Sequence, residues 1–158
     1  MRKQSRRWFY LCLGSLIAVG SLVSIPMKTG ATPVQIVAQA RNVGGALASQ
    51  LQGKPVVVDI YASWCPACRN VAPTLSQLRQ QYEGSVHFVV LDVTDRGTTS
   101  QSGNRARELG LGQFFEANRS QTGMITIIDP ATGNILAQYR NNANVANYTS
   151  VLDAALAN

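Results

Sequence analysis

Acidic residues are missing from the start of the chain: none precedes Asp59. Basic residues are not. Arg2, Lys3, Arg6, Arg7 and Lys28 account for most of the formal net charge of +6, and from residue 32 onward nine Lys and Arg face eight Asp and Glu. The remainder is therefore nearly neutral, and a nucleic-acid-binding reading, which needs a basic face on the folded domain, loses its electrostatic support. Charged residues are scarce overall, 14% against 46% hydrophobic. That balance excludes a disordered chain, and 158 residues leave room for one globular domain plus an appendage. No internal repeat and no low-complexity segment is present. Histidine occurs once, at His87, and cysteine three times.

The only long apolar run is residues 8–25, uncharged and closed by Pro26, behind the basic stretch Met-Arg-Lys-Gln-Ser-Arg-Arg. Its length falls between a signal-peptide core and the shortest membrane-spanning helix. Either way the basic end stays cytoplasmic and the rest crosses the membrane. Ser5-Arg6-Arg7-Trp8-Phe9 also resembles a twin-arginine export signal, with ordinary flanking charges as the plainer reading. Small-residue cleavage sites occur at residues 29–31 and 38–40, and retention as an anchor is the reading adopted. Residues 1–31 are thus assigned to a signal or anchor segment, 32–42 to a linker and 43–158 to the domain. Cys12 lies in the apolar run, so Cys65 and Cys68 are the exported thiols, in a compartment where disulfides persist.

Within the domain, Ala46, Leu47 and Leu51 predict a short helix stopped by Gly53. The β-branched run around Val56, Val57 and Val58 predicts a central strand buried on both faces. Val71, Leu75, Leu78 and Tyr82 recur at helical spacing, and Pro73 falls inside that helix. Residues 86–93 read as a second buried strand, 95–104 as a polar loop, 105–109 as a short helix and 110–123 as irregular. Residues 124–140 read as a β-hairpin, and Val145, Tyr148, Leu152 and Leu156 mark a last helix. The order is that of an α/β domain in which a βαβ unit is followed by an antiparallel pair and a closing helix.

Cys65 and Cys68 fall at the junction of the first strand and its helix, where chemistry is favoured in such sheets. As a staple the pair is poor, because a disulfide stabilises mainly by closing a long loop. As a zinc or copper site it is incomplete, since His87 sits mid-strand and no third exported cysteine exists. A redox couple is the reading the spacing favours, with a weak metal site or a vestigial pair as the alternatives. A reactive cysteine must favour its thiolate, and Cys65 stands at a helix N-terminus, where the dipole does this. Cys65 is expected to attack and Cys68 to resolve. Asp59, an acid in an apolar strand, is expected to be buried with a raised pKa, beneath the pair and able to relay protons. Trp64 is either a contact surface or a lid.

Taken together, Asp59, Trp64, Cys65, Cys68 and Pro73 in VVVDIYASWCPACRNVAP resemble the active-site strand and helix of the thioredoxin superfamily. With the hairpin and last helix, the likeness covers about residues 43–158. It implies a thioredoxin fold: a central mixed sheet with helices on both faces. The membrane segment with ALASQLQGKPVVVDIYASWC is most similar to membrane-tethered thioredoxin-like proteins of cyanobacteria and thylakoids. Two departures stand out. The family's cis-proline, which faces the cysteines and shapes the substrate-docking edge, is replaced at GMITI by Met124 or Ile125, where a trans peptide is expected. The dipeptide between the cysteines is Pro66-Ala67. Trp64, Pro66, Met124 and Ile125 are accordingly the expected substrate contacts.

The resemblance implies a membrane-anchored thiol–disulfide oxidoreductase, its domain in the periplasm or thylakoid lumen, reducing disulfide-containing target proteins. No cofactor motif and no metal set are seen, so electrons are expected from a membrane transfer protein of the DsbD or CcdA type. The alternatives are a thiol oxidant that introduces disulfides, and a non-catalytic binding or assembly factor. The second draws on residues 110–121, longer than in a minimal thioredoxin, which either form a partner surface around Phe114 and Phe115 or pack beneath it.

Overall fold

The computed structural model describes residues 41–157. The expected signal or anchor segment, Cys12 and nearly all of the expected linker lie outside them. Four strands form one mixed sheet in the order β2-β1-β3-β4: β1 (Val56–Tyr61), β2 (His87–Asp92), β3 (Met124–Ile128) and β4 (Ile135–Arg140). β1 runs parallel to β2 and antiparallel to β3, and β3 and β4 form the hairpin. Arg41 and Asn42 already bond to this hairpin, through Ile135 N–H donating to the Arg41 carbonyl at 2.7 Å and the Asn42–Asn134 bridge.

Alternation along β1 serves two cores. Val56, Val58 and Ile60 point to one face, where they meet Leu109, Leu111, Phe114 and Phe115. Val57 points to the other, against Val71, Leu75 and Leu78 of α1 (Pro66–Gln81) and Tyr148 and Leu152 of α4 (Val145–Leu156). A strand buried on both faces reads as a continuous apolar run, which is why β1 was legible.

Four predicted elements are corrected. Residues 95–104 are no loop: they form most of α2 (Arg96–Glu108), begun by a capping box in which the Asp95 carboxylate accepts from Thr98 N–H and Thr98 Oγ1 accepts from Asp95 N–H. Residues 110–123 contain α3 (Gly112–Asn118), which buries Phe114 and Phe115. The helix predicted over Ala46, Leu47 and Leu51 shrinks to one 3₁₀ turn at Ser49–Leu51, because Leu47 N–H is engaged by the Pro130 carbonyl at 2.9 Å and Gly44 and Gly45 take positive φ. β2 is an edge strand, not a buried one, and leaves Val90 40% exposed.

Candidate active site

The chain leaves β1 at Tyr61, turns through residues 62–64 and enters α1, so the carboxyl end of a central strand feeds a helix N-terminus. Cys65 caps that helix: its Sγ accepts a hydrogen bond from Cys68 N–H at 3.1 Å, satisfying a donor that the first turn leaves unpaired. Pro66 follows at the first helical position, where its missing N–H costs nothing and its fixed φ suits the turn. The Cys68 thiol points back under the sheet end, 3.8 Å from the Ile60 carbonyl. Both thiols are free and buried. Trp64 is 59% exposed, and its indole N–H donates to the Thr94 carbonyl at 2.9 Å, which fixes the ring beside the site.

The two sulfurs differ electrostatically. Burial pushes the Cys65 thiol up, but hydrogen bonds from the Cys68 and Thr122 side chains and from the Cys68 and Ala67 backbone outweigh it and bring the pKa below the ordinary value. Burial drives Cys68 up to about 12, with its hydrogen bond to Cys65 and the negative charge of Cys65 and Asp59 adding to the rise. At neutral pH the first cysteine is the one disposed to ionise.

Asp59 is 4% exposed and points to the α1/α4 side of β1. Its Oδ1 has no hydrogen-bond partner. Desolvation raises its pKa from 3.8 to about 6, opposed by the Arg79 guanidinium. The Asp59 charge adds to the rise of the Cys68 pKa, behind burial and the hydrogen bond to Cys65.

Two expected contacts are corrected. Met124 is 4% exposed and packs in the α2/α3 core, while Ile125 is fully buried against the α1/α4 layer, so both side chains belong to the core and not to an open docking edge. The residue that faces the cysteine pair is Gly123. A Cβ built there would stand 2.5 Å from Ala67 Cβ and 3.1 Å from Cys68 N, and its φ is +77°. Its neighbour Thr122, buried, supplies the hydroxyl bond to Cys65. Neither was singled out from the sequence; the available signal was a glycine immediately ahead of a strand, a position of close backbone approach. Phe114 and Phe115 are core residues, 3% and 1% exposed, and form no partner surface. His87 pairs with Val56 at the far end of β1 from the cysteines.

Residues 37–104 match the thioredoxin family. A thiol:disulfide interchange protein TxlA homologue of Synechocystis is 34% identical over 77 residues, 49% of this chain and 43% of that protein. The chloroplastic thioredoxin-like protein HCF164 of Arabidopsis thaliana is 37% identical over 78 residues, 49% of this chain and 29% of that protein. A thioredoxin of Synechocystis is 47% identical over 53 residues, 33% of this chain and 50% of that protein. The chain thus spans half or less of the length of these relatives. The family match runs through β1, α1, β2 and most of α2; the hairpin and α4 complete the same mixed sheet and its second helical layer, so the described residues have a thioredoxin fold.

Proposed function

We propose that this chain is an exported, membrane-tethered thiol–disulfide oxidoreductase that reduces disulfides of target proteins through Cys65 and Cys68. The observation that carries the reading is the asymmetry of the pair, one thiol lowered at a helix N-terminus and the other raised beneath it. The Cys65 thiolate attacks one sulfur of the target disulfide; a Cys65–target disulfide forms and the other target sulfur leaves as a thiolate. With Cys65 bonded, its negative charge no longer holds the Cys68 proton. Cys68 then loses that proton with Asp59 as the base, and its thiolate attacks the Cys65 sulfur. The second target thiol departs and the Cys65–Cys68 disulfide remains, two electrons having passed to the target. A dithiol donor across the membrane, of the DsbD or CcdA type, restores the pair.

The tether and the periplasmic or lumenal location rest on the basic stretch and apolar run of residues 1–25. The rival docking-module reading loses the aromatic surface it needed, because Phe114 and Phe115 are interior. The test is trapping. A Cys68→Ser chain should accumulate a mixed disulfide with a reducible target, and a Cys65→Ser chain should not; equal trapping by both would sink the assignment of roles. A reduction potential near about −270 mV supports the reducing direction, and one near about −120 mV reverses it.

A further inference from the structure

Beside the thiols runs a groove that their chemistry does not use. A cavity of about 420 Å³ is bordered by Trp64 and Thr122, the neighbours of the Cys65 sulfur, and by Thr99 and Arg119. Thr99 and Arg119 also border a second cavity of about 480 Å³, which runs on between α2 and α3 past Arg96, Arg107 and Glu116. The two adjoin at Thr99 and Arg119 and form a groove that starts beside Trp64 and Thr122.

Its charge is one-sided. Three arginines line it against one acid, in a domain that is otherwise balanced. Glu116 meets Arg119 at 3.4 Å, with both side chains more than half exposed. Such a pair is worth little in water, so it yields readily to a competing carboxylate. Arg96 and Arg107 are eleven residues apart on α2, which returns them to the same helix face about 16 Å apart along the axis. That separation suits roughly five residues of extended chain and is too long for one small anion. The floor is also built: Gly103 lies inside α2, where a Cβ would come within 3.3 Å of the Phe115 ring. A helix-interior glycine is less favourable than alanine, and here its lack of a side chain keeps the floor flat.

We infer that this groove docks an acidic, extended segment of the target protein, flanking the disulfide presented to Cys65. The pairing of this segment with a disulfide rests on the redox reading; the preference for an acidic segment does not. Carboxylates laid along Arg119, Arg107 and Arg96 hold the target in register with Trp64 and Thr122, so the groove selects among disulfides that are chemically alike. Attraction of this kind acts on encounter and orientation and is lost to salt.

The test uses the full chain with Cys65→Ser and Cys68→Ser, so that binding is read without thiol exchange. Fluorescein-labelled, cysteine-free peptides of equal length, rich in Glu, Gln or Lys, are titrated by anisotropy at low and high salt. The Glu peptide should bind about tenfold or more tighter than the Gln peptide at low ionic strength, the Lys peptide should not bind, and the gap should close at high salt. Arg96→Gln with Arg107→Gln should bring the Glu peptide to the Gln level; should that chain melt early, Arg107→Gln alone should remove part of the preference. Equal binding of Glu and Gln peptides, or a preference that survives loss of the arginines, overturns the proposal. So does sulfate binding as tightly as the Glu peptide, which would make the groove a small-anion site. In the reduced wild-type chain, a cystine peptide with Glu flanks should exchange faster than its Gln counterpart by the same ratio. Failure to reduce even hydroxyethyl disulfide would sink the redox reading alone, because the binding arm, which lacks both site thiols, still decides the groove.

Discussion

The charge on Asp59 should destabilise the native state at neutral pH, by an amount the structure sets. The carboxyl is 4% exposed, Oδ1 lacks a partner, and its pKa rises from 3.8 to about 6 on folding. Between those values the folded protein binds more protons than the unfolded one, so stability falls as pH rises. The contribution is fully present below 3.8 and lost on passing 6, about 3 kcal/mol in all at 1.36 kcal/mol per pKa unit. Asp59→Asn abolishes the titration and buries an amide whose own unmade hydrogen bonds cost about 1–2 kcal/mol at every pH. The variant should therefore be the less stable protein near pH 4 and the more stable one near pH 7.5, with a relative swing of about 2–3 kcal/mol. Urea unfolding of both full-length chains, kept reduced, at the two pH values measures it; other titrating groups cancel in the difference. Parallel pH profiles for wild type and variant would refute the buried, unpaired carboxyl.

Gly123→Ala should cost more than about 3 kcal/mol in the same assay, since positive φ alone costs about 1–2 kcal/mol and the Cβ must also displace Ala67; Ala67→Gly should return part of that loss, and a cost under about 1 kcal/mol would contradict the close approach. Thr122→Val should raise the Cys65 pKa, read from thiolate absorbance and the pH dependence of alkylation, while Thr122→Ser keeps the wild-type titration. Asp95→Ala removes the α2 capping box and should lower stability by about 1 kcal/mol; no change would mean that the helix is held by packing alone.

What was legible follows from where the signals lie in the chain. Asp59, Trp64, Cys65 and Cys68 are close in sequence, and the strand and helix that carry them have strong periods of their own, so that half of the site could be read directly. Thr122 and Gly123 enter only through the pairing of β3 with β1, a contact across more than fifty residues that no local pattern encodes. α2 was hidden for a different reason. Its buried side chains are Ser102, Gly103 and Ala106, too small and too polar to make an apolar stripe, and its Asp95–Thr98 cap was the one local signal. The edge position of β2 is not legible because a Val/Leu-rich run looks the same in a central strand and in an edge strand with one covered face.

The glycine at position 123 is tied into more than the cysteine helix. Its N–H donates to the Ile60 carbonyl at 2.8 Å, the same oxygen that the Cys68 thiol approaches at 3.8 Å. Its own carbonyl accepts from Asn141 N–H at 2.9 Å, and the Asn141 side chain accepts from Asn70 of α1 at 3.0 Å, with Asn141 in left-handed backbone at φ 54°. β1, β4 and α1 are thereby fastened to one residue at the mouth of the site. A proline there has no N–H to give Ile60 and a φ fixed near −65°, opposite in sign to the +77° observed. Gly123→Pro would therefore break the bond to β1 and turn the Asn141 contact away, and the Ile60 carbonyl would be left to the Cys68 thiol. The sheet end is thus closed over the pair through the backbone of Gly123, whose N–H holds the Ile60 carbonyl at 2.8 Å while the resolving thiol approaches the same oxygen at 3.8 Å.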